Sequence, residues 1–237
     1  MGMHDWRTVL GEVVASQERL DRTLAALDDA ALRAPSPLAG WTRGHLVQHI
    51  ARNADSYSRL LEWAATGVVT PQYASAAARE EEIEAGAHLP YDELVADARA
   101  AGERFVALAR ALPEDRWEAR VAALQGWAHP AWYTLYRRWR EVEVHHVDLD
   151  AGYGVADWPA AYVRWELAES LPMLRGSVPY ARIVVTGPDL VVELGGAGPE
   201  LRGDGGELLG WVTGRAPAPH APVPPWPYPA ATDWSEA

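Results

Sequence analysis

The chain has 237 residues, with 21 basic and 33 acidic side chains, a formal charge of −12, 12 Trp, 9 Tyr and no Cys; every basic side chain is Arg and there is no Lys. These counts exclude a disulfide framework, a protein thiolate, an iron–sulfur cluster, a cysteine zinc site, a Schiff-base lysine and a P-loop lysine. The acidic balance argues against nucleic acid as a partner, no apolar run approaches the roughly 20 residues of a membrane span, and the N-terminus lacks the order of a signal peptide, so the cytoplasm is the expected location.

Residues 5–28 have the 3.6-residue period of an amphipathic helix, with Val9, Leu10, Val13, Leu20 and Leu24 on one face and Asp5 as N-cap. The Pro- and Gly-containing run 34–40 is a loop. A second helix starts after Thr42 and runs to about Ala65, turning Leu46, Ile50, Tyr57, Leu60 and Leu61 inward. Residues 75–87 form a polar helix, and the charge run Arg79–Glu84 reads as its solvated face. A longer helix covers about 91–111, with Leu94, Ala98, Ala101, Phe105 and Leu108 inward. His129–Pro130 opens a Trp-, Tyr- and Arg-rich helix to about Leu149. Four long helices within the first 150 residues pack most economically as a bundle.

After Gly152 the pattern changes. Residues 159–174 are helical, 181–187 and 189–196 are two short strands about a Gly-Pro turn, and Gly205–Val212 is a short helix. The expected fold is α+β overall: a four-helix bundle over 1–152, a small α+β domain over 153–215, and a tail over 216–237 that holds seven prolines.

Two spacings carry chemistry. His45 and His49 are i and i+4 on one helix, and Glu141 and His145 are i and i+4 on another, with Asp148 three residues further on. Inward ligands from facing bundle helices meet at metal sites, and two His with one carboxylate suit zinc with its fourth position open. The plainer alternatives stand beside this. A His pair at this spacing is more often a surface or capping pair, Glu141–His145 is an ordinary helix pair, and spacing alone leaves Glu143 and His146 available.

The segments Gly40–Asp55, Arg137–Tyr153 and Gly206–Arg215 together resemble the mycothiol-dependent maleylpyruvate isomerase family, in order and spacing and over nearly the whole chain. The resemblance implies a DinB-like four-helix bundle followed by a small α+β domain. It implies one zinc, or another divalent metal, held by His49, Glu141 and His145, with His45 in a supporting role. It also implies mycothiol as the thiol cofactor, with Arg215 in its binding. The implied reaction converts maleylpyruvate to fumarylpyruvate, in gentisate breakdown, by thiolate addition, bond rotation and elimination. The protein partners are then a small dicarboxylate and a low-molecular-weight thiol. With no Lys, Arg43 and Arg52 are candidates by position for the substrate carboxylates. Three other functions fit the same scaffold: a mycothiol S-transferase, a non-catalytic metal- or ligand-binding module, and a metal-dependent hydrolase. The oligomeric state is open.

Overall fold

The computed structural model describes residues 5–187 and 189–217, which divide into two compact units between Gly152 and Tyr153. In the first unit, α1 (Trp6–Leu24), α3 (Arg43–Thr66), α5 (Tyr91–Ala111) and α6 (Tyr133–Asp148) are the long helices. α3 packs on α5 and α6, and α1 packs on α5 and α6, which closes a four-helix ring. Leu20, Leu24, Leu46, Ile50, Tyr57, Leu60, Phe105 and Val142 fill its centre. This burial of periodic apolar stripes is the main stabilising term of the bundle.

Two expected boundaries move. The first helix ends at Leu24, because Asp28 adopts extended backbone and its side chain accepts from the N–H of Ala31. That cap starts a separate short helix, α2 (Asp29–Arg33). The last bundle helix begins at Tyr133 rather than at His129–Pro130. Ala128–Pro130 is instead strand β2, antiparallel to β1 (Arg120–Ala122). The turn between them uses Gly126 at φ +88°, and Pro130 sits at the strand end, where a missing N–H costs little.

α4 (Ala76–Gly86) lies tightly against α3. A Cβ on Gly44 would come within 2.4 Å of the Ala87 carbonyl oxygen, so only glycine permits this approach. The helix is capped at its start by Ser75. At its end the Arg33 guanidinium donates to the carbonyls of Ala87, His88 and Leu89.

The second unit contains α7 (Ala160–Ser170), a three-stranded sheet and α8 (Gly205–Val212). β3 (Arg182–Thr186) pairs antiparallel with β4 (Leu190–Glu193), as the two predicted strands require. A third strand, β5 (Glu200–Asp204), pairs parallel with β3, and its last residue, Asp204, caps α8. The α+β fold class therefore holds. The Pro-rich tail lies outside the described residues from 218 onward. Among the described residues, no helix is long and apolar enough to cross a membrane.

Candidate metal centre

The site is built where α3 faces α6. The Thr42 cap sets the start of α3, and the buried Arg138 of α6 ties the two helices in register. Its guanidinium donates to the Ile50 carbonyl (3.0 Å), Asn53 Oδ1 (2.9 Å) and Gln17 Oε1 (2.8 Å). Burial lowers its pKa to about 10, still far above neutrality, so it remains charged.

One turn along, His49 from α3 meets Glu141 and His145 from α6. His49 Nε2 lies 3.1 Å from Glu141 Oε2 and 3.1 Å from His145 Nε2, and His145 Nε2 lies 3.4 Å from Glu141 Oε2. A tetrahedral ion with bonds of 2.0–2.1 Å has ligand–ligand edges of roughly 3.3 Å. The three donor atoms are therefore already spaced as one face of such a tetrahedron. All three side chains are mostly covered, with 6 % exposure for His49, 12 % for Glu141 and 16 % for His145.

The partners of the remaining ring nitrogens complete the fit. His145 Nδ1 is 2.9 Å from Asp148 Oδ2, and Asp148 is itself buried. The Nδ1 proton goes to that carboxylate, which leaves the Nε2 lone pair directed at the cluster, as metal-binding imidazoles are commonly held. Trp41 covers the other side, its ring centroid 5.4 Å from that of His49.

The electrostatics follow from the same contacts. Burial is the largest influence on His49 and lowers its pKa to about 4 against the pull of Glu141, so the ring is neutral at pH 7. Burial also opposes charge on Glu141, but its contacts with His145 and His49 outweigh that and hold the carboxyl well below its ordinary range. Burial likewise disfavours charge on His145, yet Asp148 and Glu141 together raise its pKa. A neutral imidazole, a carboxylate and a second imidazole with a carboxylate behind it form a donor set suited to a borderline divalent metal.

The residues that spacing left open now separate. Glu143 and His146 point at α1, where Glu143 bonds to Ser16 and Arg19 and His146 to Thr23. His45 joins a second cluster with Glu84 and His88. Its Nδ1 accepts from the Thr42 N–H (3.2 Å) as the third residue of a capping box, so its proton sits on Nε2 and is donated to Glu84 (3.1 Å). His45 is thus engaged as a helix cap.

The candidate arginines are also engaged. Arg52 pairs with Asp55 and Asp97, and Arg43 closes the end of α6 through the Leu149 and Asp150 carbonyls. Neither guanidinium is directed at the three-donor cluster. Arg215 belongs to the second unit, where its guanidinium donates to the Thr213 carbonyl at 2.6 Å. An arginine that does reach the cluster is Arg79 of α4, whose Nη2 lies 3.1 Å from His49 Nδ1. Its charged neighbours disguise it in the sequence as part of a solvated face.

Residues 13–150 match the family described as the mycothiol maleylpyruvate isomerase N-terminal domain. A crystal structure of the mycothiol-dependent maleylpyruvate isomerase is similar at a TM-score of 0.82 and 30% identity, covering 93% of this chain and 96% of that one. The structure of a histidine-to-alanine mutant of the mycothiol-dependent maleylpyruvate isomerase gives a TM-score of 0.81 and 29% identity over the same shares of the two chains. No curated protein sequence matches significantly. With more than half of its length matched, and its bundle carrying the helices that hold the cluster, the chain belongs to the mycothiol maleylpyruvate isomerase family.

Proposed function

We propose that this chain is a zinc-dependent, mycothiol-using isomerase that converts maleylpyruvate to fumarylpyruvate. The observation that carries this reading is the His49–Glu141–His145 cluster, spaced for one ion, in a chain of this family that has no sulfur nucleophile of its own. His49, Glu141 and His145 would hold the metal. When bound, it would supply Lewis acidity that lowers the pKa of a thiol. The thiol, when bound, would supply the nucleophile that the chain lacks for reversible addition to the activated double bond.

The chain's own residues prepare this chemistry. Asp148 orients His145 through Nδ1 and keeps Nε2 free. Trp41 and the covered walls of α3 limit water on the His49 side, which strengthens electrostatic interactions there. Arg138, pinned to Ile50, Asn53 and Gln17, keeps α3 and α6 in register, so the donors need little rearrangement. On this reading Arg215 contributes to holding the thiol cofactor. The setting is the cytoplasm, where small thiols are kept reduced.

The test is metal content together with turnover of maleylpyruvate in the presence of mycothiol. One zinc per chain and formation of fumarylpyruvate with the thiol regenerated are expected. A thiol conjugate as final product would replace the isomerase with a transferase. A protein that folds without binding metal would end the enzymatic reading.

A further inference from the structure

Arg79 makes a contact that a metal on His49 cannot share. A guanidinium only donates hydrogen bonds, so a ring nitrogen that receives one carries no proton. With Arg79 Nη2 3.1 Å from His49 Nδ1, the neutral ring keeps its single proton on Nε2, toward Glu141 and His145. A metal bound through Nε2 needs that lone pair and sends the proton to Nδ1. Nδ1–H then faces an arginine N–H, donor against donor, and the contact is lost.

The guanidinium released in this way is still held close by. Its helix is fixed against α3 by the Gly44–Ala87 approach and by the Arg33 bonds at its far end. Its other partner is the adjacent Glu80, a pair in which Glu80 is 62 % exposed and therefore weakly binding. Arg43 and Arg52 are engaged elsewhere in the first unit. A planar cation beside a divalent site is suited to a carboxylate, which it grips with two parallel hydrogen bonds.

We propose that Arg79 is an exchangeable arm: metal occupancy of His49 displaces its guanidinium from Nδ1, and the displaced guanidinium then anchors a carboxylate of the acid substrate. The order of assembly follows. Metal comes first and creates the anion site, so the dicarboxylate binds well only to loaded protein. This rests on the metal assignment and the isomerase reading above, and it adds a positioning role for a residue of α4.

The experiment compares wild type with Arg79→Gln and Arg79→Lys by two binding readouts and one kinetic one. Zinc affinity is measured by competition with a chelator. Gln removes the donor that opposes Nδ1–H and offers an acceptor to it, so zinc should bind about five- to tenfold tighter. Maleate binding to zinc-loaded protein is measured by calorimetry. It should be about 10- to 100-fold weaker in Arg79→Gln, the scale of a lost charge-assisted hydrogen-bond pair, and partly restored in Arg79→Lys. In turnover, KM for maleylpyruvate should rise more than kcat falls. Zinc and maleate affinities that are both unchanged in Arg79→Gln overturn the exchange while leaving the isomerase reading intact. Both shifts in a protein without isomerase turnover support the exchange and sink the reading. A wild type that binds no zinc overturns both.

Discussion

Two His–Glu–His clusters stand one helical turn apart on α3, and their compositions are the same. His49, Glu141 and His145 draw on two facing helices of the bundle and are largely covered; His45, Glu84 and His88 lie at the α3–α4 edge, with Glu84 and His88 more than 60 % exposed. The first cluster differs in being covered and in having an acceptor behind one of its histidines. Behind His145 stands an acceptor, Asp148, which takes the Nδ1 proton and leaves the Nε2 lone pair facing His49 and Glu141. Behind His45 stands a donor, the Thr42 N–H, which leaves the proton on Nε2 and commits it to Glu84. Ligand type and spacing are alike in the two clusters; cover and the Asp148 acceptor set the first apart.

The most severe way to break the comparison is to remove one histidine from each cluster. His49→Ala should lose nearly all bound metal and with it thiol-dependent turnover. His45→Ala should keep its metal, because that ring is engaged as a cap. Elemental analysis of the two purified variants checks both. Full occupancy in His49→Ala, or loss in His45→Ala, reverses the assignment.

A third histidine sharpens the point by having both nitrogens committed. His129 Nε2 accepts from Arg137 (3.0 Å) and its Nδ1–H is directed at the Pro130 carbonyl (2.9 Å). Burial first, and Arg137 second, lower its pKa to about 3. The unfolded ring titrates near 6.5, so between about pH 6.5 and 3 the unfolded chain binds the extra proton and the folded one does not. Stability from this group is therefore intact above pH 6.5 and falls on acidification, by roughly 2–3 kcal/mol at pH 4.5. His49, lowered to about 4, adds to the same acid limb. Denaturation at pH 7 and pH 4.5 should show His129→Gln with a smaller acid loss than wild type. An identical loss would mean that His129 is not held neutral.

A smaller effect separates orientation from ligation. Asp148→Asn keeps the shape and an acceptor oxygen at His145 Nδ1 but removes the charge behind the imidazole. Metal affinity should fall by about tenfold, at the low end for such supporting groups. Chelator competition measures it. An unchanged affinity would reduce Asp148 to a packing residue.

What could be read in advance follows the range of the forces involved. Helix periods, the Thr42 and Ser75 caps and the two i,i+4 pairs are local, and they place His49, Glu141 and His145 on inward faces without knowledge of the rest. The end of α1 was harder, because Asp28 lies within a run that keeps helical period yet caps the next helix. β2 is not legible in the sequence because Pro130 suits a helix start as well as a strand end, and only its pairing with β1 decides. Arg79 was hidden for a different reason. Its neighbours are Glu80, Glu81 and Glu82, the signature of a solvated face, and its meeting with His49 depends on how closely α4 approaches α3. That approach is set by the absence of a side chain at Gly44, which carries no functional signal of its own.

The mildest prediction concerns His45, and it tests the cap side of the comparison directly. In the capping box the Thr42 hydroxyl accepts from the His45 N–H and the His45 ring accepts from the Thr42 N–H, so two otherwise orphaned donors at the start of α3 are satisfied reciprocally. Alanine at 45 removes one of these acceptors and the bond to Glu84. The Glu84 pair is exposed at its carboxylate end and contributes little. The loss should therefore be close to that of a single cap interaction, about 1 kcal/mol. His45→Gln, which restores the acceptor at the third helical position, should recover most of it, since Gln serves in the same box. Denaturant midpoints of the two variants against wild type give the answer. A loss in His45→Ala that Gln does not repair would show that the ring's packing against Trp41 and His88, at centroid distances of 6.4 and 5.3 Å, matters more than its nitrogen. The second cluster would then be an aromatic contact rather than a cap, and equally not a metal site.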